Sequence, residues 1–214
     1  IETSGEGIAY GAEFMLKKNS GKWTGSLSYA WSYANRTFAN INNGETYEFD
    51  YNRPHSFTLN VNRDLSNSWT MSAVWILQSG TPYTPSLGKQ YTINPETGKT
   101  NIELIYGQKN SERMQAYHRL DLGFNHTITT KKGNRAIWSY SIYNVYNRIN
   151  PFDYYYDNDN NRRNLIYYNR PLGLYKIGLF TFIPSIAYKV YFDYSKNTNT
   201  IEKKGKKKNK WLYF

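Results

Sequence analysis

The sequence predicts an all-β fold, a segment of an antiparallel transmembrane β-barrel, and three observations lead to this prediction. The chain combines 18% aromatic residues with a mean hydropathy of −0.76. Apolar and small polar side chains alternate with period two along several segments, and short and long connections between those segments alternate as well. A membrane strand reconciles the first two observations, because every second side chain faces lipid and the others face a polar lumen.

The composition sets the outer limits of this prediction. The 214 residues suffice for one sizeable domain, and the aromatic content excludes a disordered chain. We find no run of 18 apolar residues that would predict a transmembrane helix, and the absence of Cys excludes thiol chemistry. The chain opens without the basic start and apolar core of a signal peptide, so we expect the start of the exported protein to lie upstream.

The net charge of +11 is uneven along the chain. Residues 193–214 hold seven Lys against Asp193 and Glu202. Such a run can bind nucleic acid or anionic lipid, but like-charge runs are usually solvated and flexible. We therefore predict a flexible periplasmic tail over 193–214 and no nucleic-acid partner.

The first two predicted strands cover 8–18 and 23–34. In the second strand, Trp23, Leu27 and Trp31 occupy odd-numbered positions. Small residues such as Ser26 and Ser28 occupy even-numbered positions. Side chains alternate across a strand, so this spacing places the rings on one face and the hydroxyls on the opposite face.

The same alternation defines five further strands, although their apolar residues differ. We predict strands over 56–62, 69–78, 119–128, 136–142 and 174–192, with Pro184 interrupting the last one. A soluble β-sandwich also alternates, but its outer face is usually rich in Lys and Glu. Here the polar face is mostly Ser, Thr and Asn, and Trp and Tyr crowd the ends of the apolar face, as in the aromatic girdles of membrane barrels.

The connections predict the orientation. Those at 19–21, 64–67 and 131–134 are tight polar turns, whereas those at 36–53, 80–116 and 148–173 are long. Outer-membrane barrels have short periplasmic turns and long extracellular loops. Seven strands that start outside the cell make an incomplete barrel, because complete bacterial barrels have an even number of strands. We expect further strands to complete it.

Several motifs resemble the C-terminal part of the barrel of a TonB-dependent receptor of the Bacteroidetes type. They are YGAEF at 10–14, YNRPHS at 51–56, SGTPYT at 79–84, YHRLDL at 117–122, IYNVYNR at 142–148, and IPS at 183–185 followed by YKVYF at 188–192. Each motif alone is weak, and the resemblance comes from their order and spacing over residues 7–192. Residues 1–192 would then be roughly the last third of a 22-stranded barrel.

The resemblance implies a function in the bacterial outer membrane. Such receptors bind a bulky nutrient outside the cell, and the TonB complex energises its uptake through an N-terminal plug domain. The implied partners are that plug, the remaining strands, the lipid bilayer and, in some members, a surface lipoprotein. Siderophores, cobalamin, oligosaccharides and peptides are all carried by the family. The resemblance also implies that Tyr188, Val190 and Phe192 form the barrel-assembly signal, although family members usually end at that Phe and 22 residues follow here.

Tyrosines in the third long connection are candidate ligand contacts, because rings stack on sugars and on aromatic siderophores while the hydroxyl offers a hydrogen bond. We expect them to form a hairpin of 152–156 with 165–168, and the candidates are Tyr154, Tyr155, Tyr156, Tyr167 and Tyr168. The alternative is packing of loop on loop. The intervening Asp157, Asp159 and Asn161 resemble a calcium loop, but Arg162 replaces the required Gly, so we expect no metal.

The polar face carries three candidate charges, Glu13, Arg119 and Asp121, which we expect to pair with the plug or with neighbouring strands. The three His residues lack metal-ligand spacing, and no Ser lies in a G-x-S-x-G elbow, so we expect neither a cofactor nor an enzyme. Two alternatives stay open, namely a smaller complete outer-membrane barrel that acts as an enzyme or adhesin, and a soluble carbohydrate-binding β-sandwich.

Overall fold

A computed structural model describes residues 4–157 and 173–192. In chain order its first nine strands are β1 (Glu6–Lys18), β2 (Trp23–Thr37), β3 (Tyr47–Glu48), β4 (His55–Asp64), β5 (Trp69–Gln78), β6 (Pro82–Tyr83), β7 (Ser86–Ile93), β8 (Thr100–Tyr106) and β9 (Glu112–Arg113). The others are β10 (Tyr117–Thr129), β11 (Arg135–Tyr143), β12 (Asp153–Asp157), β13 (Gly173–Ile177) and β14 (Ile183–Tyr191), and one 3₁₀ turn covers Asn42–Gly44. Within the described ranges, no helix has the length and apolar character needed to cross a membrane.

Seven long strands form one antiparallel sheet, as the sequence predicts. Their spatial order is β1-β2-β4-β5-β10-β11-β14, so each strand pairs with the next long strand along the chain. The seven strands are 9 to 15 residues long. Three short turns alternate with three long connections, which confirms the predicted pattern. Within the described residues β1 pairs only with β2 and β14 only with β11, so the sheet is open at both edges.

The pairing register places apolar side chains in rows across the whole sheet. Leu27 lies opposite Leu16 on one side and Leu59 on the other, and Leu59 lies opposite Trp75. Trp75 in turn lies opposite Leu120. Because side chains alternate along each strand, this register makes one continuous apolar face from β1 to β14.

The opposite face of the same sheet is made mostly of small polar residues. Ser28 lies opposite Thr58, and Ser72 lies opposite Asn62 on one side and Gly123 on the other. Aliphatic exceptions are Val74 and Ile76, which lie opposite Asp121 and Arg119. We call the two sides of the sheet the apolar face and the polar face.

Within residues 4–157 and 173–192 the sheet has no conventional hydrophobic core packed against either face. Among the described residues few apolar side chains are buried, and besides Pro82 they are Tyr47 and Ala136, at 7% and 0% exposure. Large rings of the apolar face are instead exposed, for example Phe14 at 56% and Trp31 at 38%. Hence the described part of the chain does not cover either face with a second layer.

The prediction of one last strand over 174–192 is wrong. The segment divides into β13, which pairs with β12, and β14, which pairs with β11. The break lies at 178–182, where the chain passes so close to Ile149 that a Cβ on Gly178 would lie 2.5 Å from its Cγ2. Pro184 does not interrupt the strand, because it lies within β14, opposite Ile142 of β11.

The predicted pairing of 152–156 with 165–168 stays a prediction, because 165–168 lies outside the described residues. Within the described residues β12 pairs with β13, with Tyr155 opposite Tyr175 and Tyr154 opposite Lys176. The remaining long connections also contain strand pairs that the sequence did not predict. They are β6 with β9, β7 with β8, and β3 with the end of β2.

Gly80 lies just after the end of β5, where another part of the backbone approaches it closely. Gly88 has open space around it and serves as a control. A Cβ on Gly80 would lie 1.9 Å from the carbonyl oxygen of Met114, whereas a Cβ on Gly88 would meet nothing within 4 Å. We expect Gly80→Ala to lower the free energy of unfolding by about 1–3 kcal/mol, as overpacking does. Gly88→Ala should leave it within about 0.5 kcal/mol. Thermal unfolding followed by circular dichroism compares the two, and equal shifts would contradict the close approach at Gly80.

Candidate functional site

The first two long connections are joined by polar contacts at one end of the sheet. Asn110 is nearly buried, and its Nδ2 donates to the carbonyl of Glu48 at 2.7 Å and to Oδ1 of Asp50 at 2.5 Å. Arg113 forms an ion pair with Glu48 and donates to the carbonyl of Gly80 at 2.6 Å. Hydrogen bonds to charged groups contribute more than neutral ones, so these contacts hold the two connections together.

The third long connection contacts the second through backbone and side-chain hydrogen bonds. The backbone N–H of Gln115 donates to the Tyr154 hydroxyl at 3.2 Å, and Lys176 donates to the Gln115 side-chain oxygen at 3.2 Å. Arg148 donates to the carbonyl of Ala116 at 3.2 Å. The three connections therefore form one layer above the sheet end, which we call the loop layer.

Asn144 starts the third connection and explains part of the motif at 142–148. Its φ is 55°, a left-handed conformation that Asn tolerates better than most residues. The side chain is fully buried, its Nδ2 donates to the carbonyl of Arg148 at 2.8 Å, and its Oδ1 accepts from the Arg148 N–H at 3.3 Å. Asn147 adopts a similar φ of 54°. The turn is thus fixed by two asparagines and the side-chain bonds of the first.

Arg119 and Asp121 meet on the polar face just below that turn. The Arg119 guanidinium reaches Oδ2 of Asp121 through Nε at 3.0 Å and Nη2 at 2.9 Å. Its Nη1 donates to the hydroxyls of Tyr117 at 2.9 Å and Tyr143 at 2.6 Å. Asp121 Oδ1 accepts the backbone N–H of Asn144 at 2.8 Å. Both charges are therefore used in positioning the start of the third connection.

Glu13 occupies a different part of the polar face. It lies opposite Ala30 in the β1–β2 pair, it is exposed, and within the described residues it forms no salt bridge. The structure therefore does not bring the three predicted charges together, and Glu13 remains accessible to a partner in front of this face.

A cavity of about 540 Å³ lies between the loop layer and the end of the polar face. Tyr117 and Tyr143, which also bind Arg119, belong to its wall. Phe152 and Phe180 contribute further rings, while charges of both signs come from Asp50, Arg53 and Asp153. Ligand pockets of this size typically combine apolar and aromatic walls with a few polar groups that fix orientation.

The predicted ligand-binding tyrosines divide between two environments. Tyr154 packs edge-on against Tyr83 with ring centroids 5.1 Å apart, and Tyr156 hydrogen-bonds the Tyr83 hydroxyl. Burial, with contributions from Tyr156 and Glu112, raises the pKa of Tyr83. Tyr154 and Tyr156 thus serve packing within the loop layer. Tyr167 and Tyr168 lie outside the described residues.

Tyr155 points to the other side of its hairpin and stays accessible. Its ring stacks on that of Tyr175 at a centroid distance of 5.5 Å, and the two are 43% and 41% exposed. Alternation places Tyr155 on the same side of β12 as Asp153, a cavity residue. Sequence reasoning missed Tyr175, although the short alternation in 173–177 was a signal for it.

The predicted assembly signal lies on the last strand. The Tyr188 ring packs at a tilt against the Trp138 ring with centroids 4.5 Å apart, and Val190 lies opposite Ala136; Tyr188 and Val190 are both on the apolar face. Phe192 follows the end of β14 and is 67% exposed. The Lys-rich segment 193–214 and the Asn/Asp-rich turn residues 158–161 lie outside the described residues. Within the described residues no group of three or more His, Asp or Glu side chains is placed to hold a metal.

Comparison with known proteins identified no matching protein family, no matching curated protein and no matching solved structure.

Two substitutions at Asn144 separate its conformation from its hydrogen bonds. Asn144→Gly removes the side-chain bonds but tolerates the positive φ, whereas Asn144→Ala removes the bonds and also strains the backbone. We expect both to lower the free energy of unfolding by about 1–3 kcal/mol through lost bonds, with the Ala variant lower by about a further 1–2 kcal/mol. Denaturant unfolding measures both, and equal losses would show that the left-handed turn is not a constraint.

Proposed function

We propose that this chain forms part of an outer-membrane β-barrel of the TonB-dependent receptor type, which imports a bulky nutrient. The observation that carries the proposal is the apolar face that runs without interruption through seven paired strands. In water such a face would be an exposed patch far larger than soluble monomers tolerate. In a bilayer it is the expected lipid-facing surface, because every backbone polar group between neighbouring strands is already paired.

Strand length supports a membrane location. The seven strands of 9 to 15 residues are longer than the usual strand of about 5–6 residues. A tilted strand needs about 9–11 residues to cross the hydrocarbon region of a bilayer. By analogy with known barrels, the three short turns then lie in the periplasm and the loop layer lies outside the cell.

The open edges of the sheet point to additional strands. Unpaired N–H and C=O groups along β1 and β14 cannot remain in contact with lipid, where each costs several kcal/mol. In the proposed receptor the other strands of the barrel pair with these edges. The plug domain occupies the lumen in front of the polar face, where Glu13 is free to meet it, and transmits the energy of the TonB complex.

The cavity under the loop layer is the proposed ligand entrance. It opens at the end of the sheet assigned to the cell exterior and is lined by rings and by charges of both signs. The exposed Tyr155–Tyr175 pair lies on the same side of its hairpin as Asp153, which lines the cavity. This mixture suits a ligand with both flat apolar and polar parts, such as a siderophore, cobalamin, an oligosaccharide or a peptide. A surface lipoprotein is a proposed partner for the loop layer.

Two neighbouring residues on opposite faces of β4 test the membrane assignment. Leu59→Arg places a charge on the proposed lipid face, where it costs about 2–4 kcal/mol near the bilayer midplane. Thr58→Arg places the same charge toward the lumen and should be tolerated. We expect Leu59→Arg alone to reduce the folded, heat-modifiable band of the full-length gene product in detergent. If the protein folds only in detergent, the soluble β-sandwich is contradicted. If it folds without detergent, the barrel is contradicted.

The import function is tested in the host bacterium. A strain without the gene should lose growth on one nutrient from a panel of siderophores, cobalamin, oligosaccharides and peptides. The intact gene and the Thr58→Arg variant should restore that growth, whereas Leu59→Arg should not, because its barrel fails to assemble. Restored growth in a strain that lacks TonB activity would contradict energised import and favour the alternative of a smaller barrel with another role.

A further inference from the structure

The charges of the described residues are distributed unequally between the two ends of the sheet. The loop end, residues 4–8, 36–54, 79–116, 144–157 and 173–182, carries eight basic and nine acidic residues. The short-turn end, residues 16–25, 61–72, 127–137 and 188–192, carries one acidic residue, Asp64, against eight basic ones. We call these eight the basic rim, and they are Lys17, Lys18, Lys22, Arg63, Lys131, Lys132, Arg135 and Lys189.

The basic rim is accessible and electrostatically unbalanced. All eight side chains are exposed, and none of them forms a salt bridge with another described residue. Asp64, the one acid nearby, lies on the polar face and accepts a hydrogen bond from Thr70 at 3.3 Å. An excess of like charges at one end of the sheet raises the local positive potential and attracts an anionic surface.

Two of the basic side chains stand on the apolar face itself. Alternation places Lys18 in line with Leu16, and Arg63 in line with Leu59. The Arg63 guanidinium lies over the Trp23 ring at 4.6 Å, and these two residues are partners across β2 and β4. Trp, Arg and Lys at the end of an apolar strand face are the residues found at the boundary between hydrocarbon and headgroups.

Lys22 directly precedes Trp23 at the end of the β1–β2 turn. The backbone N–H of Asp64 donates to the carbonyl of Lys22 at 3.2 Å, which holds the β1–β2 turn beside the end of β4. Lys18 approaches the same turn, since a Cβ on Gly21 would lie 4.0 Å from its Nζ. Lys18, Lys22, Trp23 and Arg63 form what we call the headgroup cluster.

We infer that the headgroup cluster binds anionic glycerophospholipid in the membrane leaflet at the short-turn end. Arg63, Lys18 and Lys22 supply charge-assisted hydrogen bonds to the lipid phosphate and its anionic headgroup. The acyl chains lie along the adjoining apolar face, past Leu16 and Leu27. This inference rests on the proposed barrel function and adds a lipid preference to it, confined to one end of the sheet.

The test uses the full-length gene product in phosphatidylcholine vesicles. Brominated phosphatidylcholine or brominated phosphatidylglycerol is added, and quenching of tryptophan fluorescence gives the relative association constant of the two lipids. We expect phosphatidylglycerol to bind several-fold more strongly than phosphatidylcholine. The preference should shrink as salt is added, because the cluster is exposed and its field is screened over about 10 Å at 0.1 M salt.

Matched variants test which side chains cause the preference for phosphatidylglycerol. Lys18→Gln with Lys22→Gln should reduce it by up to about fivefold for each lysine, which corresponds to about 1 kcal/mol per charge near an anionic surface. Lys89→Gln with Lys99→Gln removes the same charge at the loop end and should leave the preference unchanged. Arg63→Lys should keep most of it, whereas Arg63→Gln should not.

Each outcome separates this inference from the proposed function. If neither brominated lipid quenches, the protein is not embedded and the barrel proposal fails. If both lipids quench equally, or if both lysine pairs have equal effects, the barrel stands and the headgroup cluster is not a lipid site. Inorganic phosphate at constant ionic strength should not compete, because it lacks acyl chains, and full competition by phosphate would overturn the assignment to lipid.

Discussion

The register of the strand pairing is the constraint on which the rest of this structure depends. A shift of one residue between any two of the seven strands would move an entire row of side chains to the other face. The observed register carries Leu27, Leu59 and Trp75 across three strands without such a shift. Both distinctive properties of the sheet, an apolar side with rings at its margins and a polar side with few charges, follow from that single alignment.

Much of the sheet could be predicted from the sequence because period-two alternation is a local signal. Strands such as β2 and β5 carry it over 10 residues or more, and tight turns rich in Gly, Asn and Ser mark their ends. The same signal failed at 174–192, where two alternating stretches with no charged residue between them look like one strand. Only the tertiary approach of Gly178 to Ile149 reveals that the chain breaks there.

The candidate site was harder to predict because its contacts join residues that are distant in sequence. Asn110 meets Asp50 across 60 residues, and Lys176 meets Gln115 across 61. No local pattern specifies such pairs, so the sequence suggested the tyrosine cluster but not the division of Tyr154 and Tyr155 between packing and exposure. Arg119 and Asp121 were identified by their spacing, whereas the role of Asp121 in holding Asn144 required the three-dimensional turn.

The neighbour-to-neighbour order of the sheet has a consequence for how the chain reaches its folded state. Each long strand pairs with the next one along the chain, so the sheet is a meander whose contacts are largely between sequence neighbours. Loop-closure entropy grows only slowly with loop length, and even the 39-residue connection from β11 to β14 adds little to that cost. A meander of this kind has a lower contact order than a Greek key of equal size, and its hairpins can add one after another to a growing edge.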